Sequence, residues 1–329
     1  VVCALKNIQF FYLLARKIIE KFKTLRMAVI ALVYITFIGS MLIANDMALL
    51  TFLPLGYFVL HRTGKEHAMA LVFIFQNIAA NLGGMLTPFG NPQNLYLFNF
   101  GEYGVGEFLL VMLPVTVVSL VLLCIFTAFL PKTELKAAQK EKKEAAGEEA
   151  SPVVGIVLYL ILFAVCLLAV FHVLPHWIVL IAVTLAILIY DRRILLRVDY
   201  ILLLTFVAFF IFIGNLGEAA PIRNFLTTLI GGREAYVGIA ASQVFSNVPA
   251  AMLLATFAQD IDALLWGVNI GGLGTLIASL ASLISYKYFT VHARKLPKEL
   301  DITKGKYMIH FTIMNLLFAL VLLLFVFIF

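Results

Sequence analysis

A chain of 329 residues that is 63% hydrophobic and only 13% charged carries about half the charge share of an ordinary soluble domain, which excludes a soluble globular protein. Its apolar runs are continuous and long rather than alternating, which excludes a transmembrane barrel and leaves an all-α polytopic membrane protein. The formal net charge of +6 implies no nucleic-acid partner, because the basic residues lie in short segments between apolar spans, where positive-inside topology accounts for them.

In chain order, residues 1–14 read as the end of a span, and the chain opens part-way through an apolar segment, so further N-terminal sequence is expected. Residues 15–26 form a basic amphipathic segment suited to the membrane surface. Residues 27–60 are apolar except around Asn45-Asp46, with Pro54 in the second half, and hold one long helix or two half-helices returning to the same side. A polar loop at 61–65 follows, then a broken helix at 67–100 and an uninterrupted span at 107–130. Residues 131–152 form a charged linker, partly helical through Glu/Lys pairs. Spans are predicted at 153–171, 174–190 and 200–216, a hairpin at 235–258, a broken helix at 263–286, a polar loop at 287–306 and a last span at 307–329.

Two strings mark the breaks. Asn-x-Gly-Gly-x-x-Thr occurs at Asn81–Thr87 and again at Asn269–Thr275, and each copy follows a matching Ser-x-x-x-x-Asn-x-x-Ala: Ser40, Asn45 and Ala48, then Ser242, Asn247 and Ala250. In hydrocarbon a broken helix leaves backbone groups unpaired, so such breaks survive where they line a cavity. Matched breaks in two halves point to a transporter's binding site. The chain is therefore expected to hold two repeats, 1–130 and 153–329, joined by the linker.

Counting Lys and Arg orients them. Segments 15–26, 61–66, 131–152, 191–199 and 287–306 hold 21 of the 24 basic residues and are assigned to the cytoplasm. Arg223 and Arg233 fall outside, and Lys6 is ambiguous. This makes 27–60 a hairpin re-entering from the cytoplasm and 235–258 one re-entering from outside, so the repeats are inverted. Three spans precede the second hairpin and only the tail of one precedes the first, a shortfall of roughly 50–60 residues at about 20 per span.

Asp46 is the only acidic residue at predicted membrane depth; the other 17 fall in loops or at span ends. An intramembrane carboxylate is by default a proton or cation site, with a structural carboxylate paired to a backbone donor or to Lys6 as the alternative. Gly83-Gly84 and Gly271-Gly272 allow the backbone to unwind and approach a ligand, or else allow close helix packing. Thr87, Asn91, Asn94, Ser246, Asn269, Thr275 and Ser279 offer hydroxyl and amide groups, while Pro88, Pro92 and Pro249 keep the helices from closing over the breaks. Freed carbonyls beside Asn45 and Asn247 suit Na⁺, and half-helix N-termini suit an anion. His172 and His176 flank Pro175 and read as surface residues, Asp260 and Asp262 as loop charges, and Cys3, Cys124 and Cys166, without CxxC spacing, as buried small hydrophobes. HExxH, GxSxG and Walker A strings are absent, so nothing signals an enzyme, and no cofactor is implied apart from Na⁺ as a coupling ion.

With these features in place the chain resembles the ion transporter superfamily, which includes divalent-anion/sodium symporters, citrate carriers, arsenite permeases and NhaD-type sodium/proton antiporters. Leu86-Thr87-Pro88-Phe89-Gly90-Asn91-Pro92-Gln93-Asn94 is similar to the symporters' T-P-x-G-N-P-x-N loop. Ile43-Ala44-Asn45-Asp46 resembles the hairpin tip of arsenite permeases, and Ser246-Asn247-Val248-Pro249-Ala250 the second hairpin of the arsenite and antiporter branches. The symporters' tips read Ser-Asn-Thr; neither tip here carries the Thr. The resemblance implies a citrate-transporter-like permease of the cell membrane, with hairpin tips meeting broken helices at the midplane, and a homodimer. Its expected cargo is a small anion, a carboxylate or an inorganic oxyanion such as arsenite, moved with H⁺ or Na⁺. Na⁺/H⁺ antiport without an organic substrate and a passive channel are the alternatives.

Overall fold

The computed structural model describes residues 1–7, 22, 24–130, 132–134, 153–171, 173–198, 200–218, 220–297 and 303–328. Most of the basic segment at 15–26, most of the linker, His172 and the Lys6 side chain lie outside the described residues. Those described form helices joined by short turns, with a single isolated bridge, Thr24 to Glu134, in place of any strand.

After α1 (Val2–Asn7), Thr24 accepts from the Met27 backbone N–H and starts α2 (Leu25–Ile43). Ala44 ends it, and α3 (Asn45–Arg62) begins at the next residue. A 3₁₀ turn at Glu66–Ala68 leads into α4 (Met69–Gly84), then a break and α5 (Pro92–Phe100), which has Asn91 as its N-cap and Pro at its first position. The long helix α6 (Val105–Ala128) closes the first half. The second half runs α7 (Val153–Val170), α8 (His176–Asp191), a 3₁₀ turn at Arg192–Arg197, α9 (Tyr200–Glu218) and α10 (Ala220–Ile230). It continues with α11 (Glu234–Phe245), α12 (Asn247–Ala255), α13 (Ile261–Ile270), α14 (Leu280–Ala293) and α15 (Lys304–Ile328).

Among the described residues α2, α6 and α15 are long and apolar enough to cross a membrane. In α6 the exposed stripe Leu110, Leu113, Val117, Val121 and Ile125 is as apolar as the buried stripe Phe108, Met112, Val115 and Leu123. A helix apolar on both faces needs lipid, not water, on its outer side. The chain is an all-α polytopic membrane protein. At its centre α4 is buried from Val72 to Gly84 and packs against α2, α3, α6, α14 and α15. The halves interlock: α3 packs on α14, α12 packs on α5, and α4 and α13 cross to α14 and α5 respectively. Residues of α1, α7 and α8 share a separate small core around Leu5, Tyr159 and Ile187.

Three boundaries differ from expectation. Residues 220–230, treated as loop, form α10, whose buried Leu226 and Ile230 sit four apart, one helical turn. Helix α14 runs to Ala293, beyond the expected end at 286, where the Tyr288 and His292 rings meet at a tilt and His292 packs on Tyr57 of α3, with ring centroids 4.2 and 4.1 Å apart. The Gly83-Gly84 pair does not unwind: both residues remain helical and the first break starts at Met85.

Candidate functional site

Each hairpin turns at one residue in the same rare backbone conformation. Ala44 has φ 62° and ψ 146°; Ser246 has φ 71° and ψ 153°. This region is essentially reserved for glycine and costs a side-chain-bearing residue about 1–3 kcal/mol. It persists because the next residue in each hairpin is anchored. The Asn45 N–H donates to Gly90 O and the Asn247 N–H to Ala278 O, each at 2.9 Å, so each tip is pinned to the break of its own half.

The breaks are stapled by amide side chains. In the first, Asn94 Nδ2 donates to Met85 O (2.8 Å), Thr87 O (3.1 Å) and, at longer range, Gly84 O (3.4 Å), carbonyls that the end of α4 leaves without helical partners. In the second, Gln243 Nε2 donates to Gly271 O (2.8 Å) and Leu273 O (2.9 Å), and its Oε1 accepts from Thr275 N (2.9 Å). Asn91 and Ser279 cap the helices α5 and α14, accepting from the N–H groups of Asn94 and Ser282.

The glycine pairs hold backbones close. A Cβ on Gly83 would collide with Phe37 O, and one on Gly84 would lie 2.7 Å from Gly90 O and 3.3 Å from Asn45 Cβ. On Gly271 it would lie 2.6 Å from Ser242 Oγ and on Gly272 2.9 Å from Asn247 Nδ2. Gly83 and Gly84 serve close packing inside α4, whereas Gly271 ends α13 and Gly272 lies in the turn that opens the second break. Within the two breaks, the glycine held at positive φ is Gly274, at 111°, which the sequence pattern did not single out.

Between the tips lies a cavity of about 140 Å³. Four helices begin on its wall: α3 through Asn45 and Asp46, α5 through Pro92 and Gln93, α12 through Asn247 and Val248, and α14 through Ser279 and Leu280. Each N-terminus carries about half a positive charge, although several first-turn N–H groups are already taken by Gly90 O, Ala278 O and the Asn45, Asn91 and Ser279 side chains. Thr205 and Phe209 of α9 close one side. Among the described residues, Asp46 is the only charged one on the lining. An apolar groove of about 720 Å³ runs along the far side of Pro92, past Leu95, Phe100 and Leu203, but the convergent polar groups are in the smaller cavity.

Of the residues singled out from sequence, Asn45, Asp46, Ser246, Asn247 and Ser279 line the cavity. Asn91, Asn94 and Asn269 lie just behind it in a buried network that crosses the halves: Asn269 Oδ1 accepts from Asn91 Nδ2 (3.0 Å), and Asn269 Nδ2 donates to Asn94 Oδ1 (2.7 Å). Asn45 Nδ2 donates to Asn81 Oδ1 at 3.2 Å. Thr87 donates to Met41 O (2.7 Å) and Thr275 to Gln243 O (3.3 Å), tying each break to its hairpin rather than facing the cavity, and Pro88 is buried inside the first break. Among the loop charges, Asp260 caps α13 and Asp262 accepts from the Tyr103 hydroxyl. Sequence reasoning missed Gln93, Thr205, Phe209 and Phe245. Gln93 follows the second Pro of a motif already noted; the α9 pair carries no signal within an apolar span.

A family model described as citrate transporter matches residues 1–266. An uncharacterised transporter of Methanocaldococcus jannaschii is 34% identical over 285 residues, covering 86% of this chain and 76% of that protein. The inner membrane protein YbiR of Escherichia coli (strain K12) is 32% identical over 285 residues, covering 84% and 74%. An uncharacterised transporter of Mycobacterium tuberculosis is 25% identical over 262 residues, covering 72% and 60%. These matches and the apolar helices agree: the chain is a multi-pass membrane transporter, not an enzyme, and belongs to the citrate transporter (CitMHS) family.

Proposed function

We propose that the protein is an ion-coupled secondary permease for a small anion, a carboxylate or an inorganic oxyanion, working by alternating access. The observation that carries this reading is the meeting of four helix N-termini and both hairpin tips on one cavity. Four partial positive charges in a low-dielectric site favour an anion without any Lys or Arg on the lining.

Contacts at the two faces support inverted re-entrant hairpins. At one face Leu25 N donates to Thr133 O and Tyr57 packs on His292, which brings both ends of the first hairpin to the side that collects the basic segments. At the other, Glu234 accepts from Gln259 N and Tyr103 reaches Asp262, so the second hairpin opens there. Helices α11 and α12, with 12 and 9 residues, are about 18 and 14 Å long, roughly half the 30 Å hydrocarbon thickness. Helix α2, at 19 residues and about 28 Å, is long enough to cross, so in the first half the return rests on these contacts and the basic flanks.

Proteoliposomes given an imposed H⁺ or Na⁺ gradient should accumulate at least one of arsenite, citrate, succinate or sulfate. If folded protein moves none of them, the permease reading fails. The acidic character of the cavity's one charge favours a second reading, Na⁺/H⁺ exchange, which predicts Na⁺-dependent collapse of a pH gradient regardless of the anion.

A further inference from the structure

One face of α5 lines the apolar groove along the whole length of the helix. Pro92, Leu95 and Phe100 recur at helical spacing down that wall, and Ala44 of the first hairpin tip, Met252 of α12 and Leu203 of α9 complete the groove. The amides on the wall are turned to partners within the protein. Asn91 Nδ2 donates to Asn269 Oδ1 and its Oδ1 accepts from Asn94 N, while Asn99 Nδ2 donates to Leu95 O of its own helix at 2.6 Å. What the groove offers an occupant is hydrocarbon surface.

Its ends fix its depth in the bilayer. One lies at Ala44 and Pro92, beside the cavity. The other lies at Phe100, three residues before Tyr103, which reaches Asp262 at the face opposite the basic segments. Helices α5 and α12 have nine residues each and are about 14 Å long. That is roughly half the 30 Å hydrocarbon thickness, the depth of one leaflet. Spread over this length, 720 Å³ gives a cross-section of about 50 Å², roughly 8 Å across, which is too narrow for an α-helix of about 10–12 Å diameter. Extended acyl chains suit both the length and the width.

We propose that this groove is a binding site for the acyl chains of one phospholipid, drawn from the leaflet opposite the basic segments and held between α5, α12 and α9. The site goes beyond the permease reading and holds whatever the cargo is. Groove and cavity meet at Pro92, so chains seated there close that flank of the cavity with hydrocarbon. They differ from lipid on the bare α6 stripe, because protein surrounds them on three sides and slows their exchange.

Exchange is therefore the measurement. Full-length protein with Trp177→Phe and Trp266→Phe carries one new tryptophan, Phe100→Trp in the groove or Leu110→Trp on the α6 stripe. In detergent with phosphatidylcholine brominated along its chains, both should be quenched. On dilution into excess unbrominated phosphatidylcholine, Leu110→Trp should recover with the bulk lipid and Phe100→Trp at least about tenfold more slowly. Leu95→Phe with Leu203→Phe, which narrows the groove, should abolish the slow phase. Because Trp266→Phe removes a buried hydrogen bond to Val111 O, the parent supplies a second reading with both tryptophans intact. Its melting temperature should rise saturably with a 16-carbon phosphatidylcholine and stay unchanged with glycerophosphocholine, the same head group without chains. Equal recovery at the two probes overturns the proposal, as does an equal response to the chain-free head group. A Phe100→Trp probe that is never quenched overturns it too, and shows the groove covered by protein. Neither reading involves cargo or a gradient, so failure of every anion to be transported leaves the lipid site standing, and transport by a protein whose two probes recover alike overturns the lipid site alone.

Discussion

Asp46 sits where its charge has the greatest leverage, on the first turn of α3 and on the wall of a cavity otherwise without charge. Its backbone N–H is taken by Asn45 Oδ1 at 2.9 Å, and no basic side chain among the described residues pairs with its carboxylate. A carboxylate at this depth with no structural partner is costly and points to an ion. Asp46→Asn should therefore abolish gradient-driven accumulation, bringing the internal to external ratio to about 1, while downhill exchange and protein yield persist. Accumulation at the parent level would remove the coupling role, and a fall in yield and melting temperature with coupling intact would make the residue structural. The neighbouring Ala44 supports a separate prediction. Its conformation costs about 1–3 kcal/mol, so Ala44→Gly should leave the melting temperature unchanged or raise it, despite the greater chain entropy of glycine. Ala48→Gly, one turn into the same helix and fully buried, should destabilise by about 1 kcal/mol. Equal losses at both sites would mean that the tip is not strained.

At the scale of elements, the breaks are held open by side chains that supply what the helix ends lack. Gly274, at φ 111°, should not tolerate a Cβ: Gly274→Ala is expected to cost about 1–3 kcal/mol, and Gly104→Ala, in open space, close to nothing. Comparable melting temperatures for the two variants would show the second break to be plastic. The repeated strings located both breaks and both tips because helix-ending residues stand out in apolar sequence, and Asn45, Asp46, Ser246, Asn247 and Ser279 are placed together as that pattern suggests. What the pattern could not convey is the division of labour among polar residues. Asn94 and Gln243 staple carbonyls of the two breaks, yet they occupy unrelated positions, one after its break and the other in the preceding hairpin. No spacing rule links them. Gly83 and Gly84 show the converse limit, since a Gly pair at a helix end has the same sequence signature whether it unwinds or packs against Phe37 O and Gly90 O. Thr205 and Phe209 became visible only when α9 was seen to lie beside the tips.

For the whole molecule, the question is which parts move. A boundary drawn between the hairpin and broken-helix unit and the spans at 107–130 and 307–329 is the simplest that inverted repeats allow, but both spans are fastened into that unit. Trp266 Nε1 donates to Val111 O at 2.9 Å, tying α13 to α6. The Tyr307 hydroxyl of α15 meets Ser285 Oγ at 2.9 Å, and Ser285 in turn donates to Phe73 O of α4. The small core of α7 and α8 is separate, and α9 touches the cavity through an apolar wall with Thr205 as its polar exception. Sliding along that wall breaks few hydrogen bonds. Sliding α6 or α15 would break buried ones. The expected motion is therefore of both hairpins and both broken helices, with α6 and α15 attached, against α7–α9. After replacement of Cys3, Cys124 and Cys166, single cysteines at Met47 and Val248 should label with a membrane-impermeant thiol reagent from opposite sides, with cargo and ions shifting the balance between them. A crosslink between Thr205 and Ser246 positions should stop transport, whereas one between Val111 and Trp266 positions should not. If the second crosslink blocks transport and the first does not, the boundary lies at α6 after all. If each cysteine labels from one side only under every condition, the protein is not a carrier.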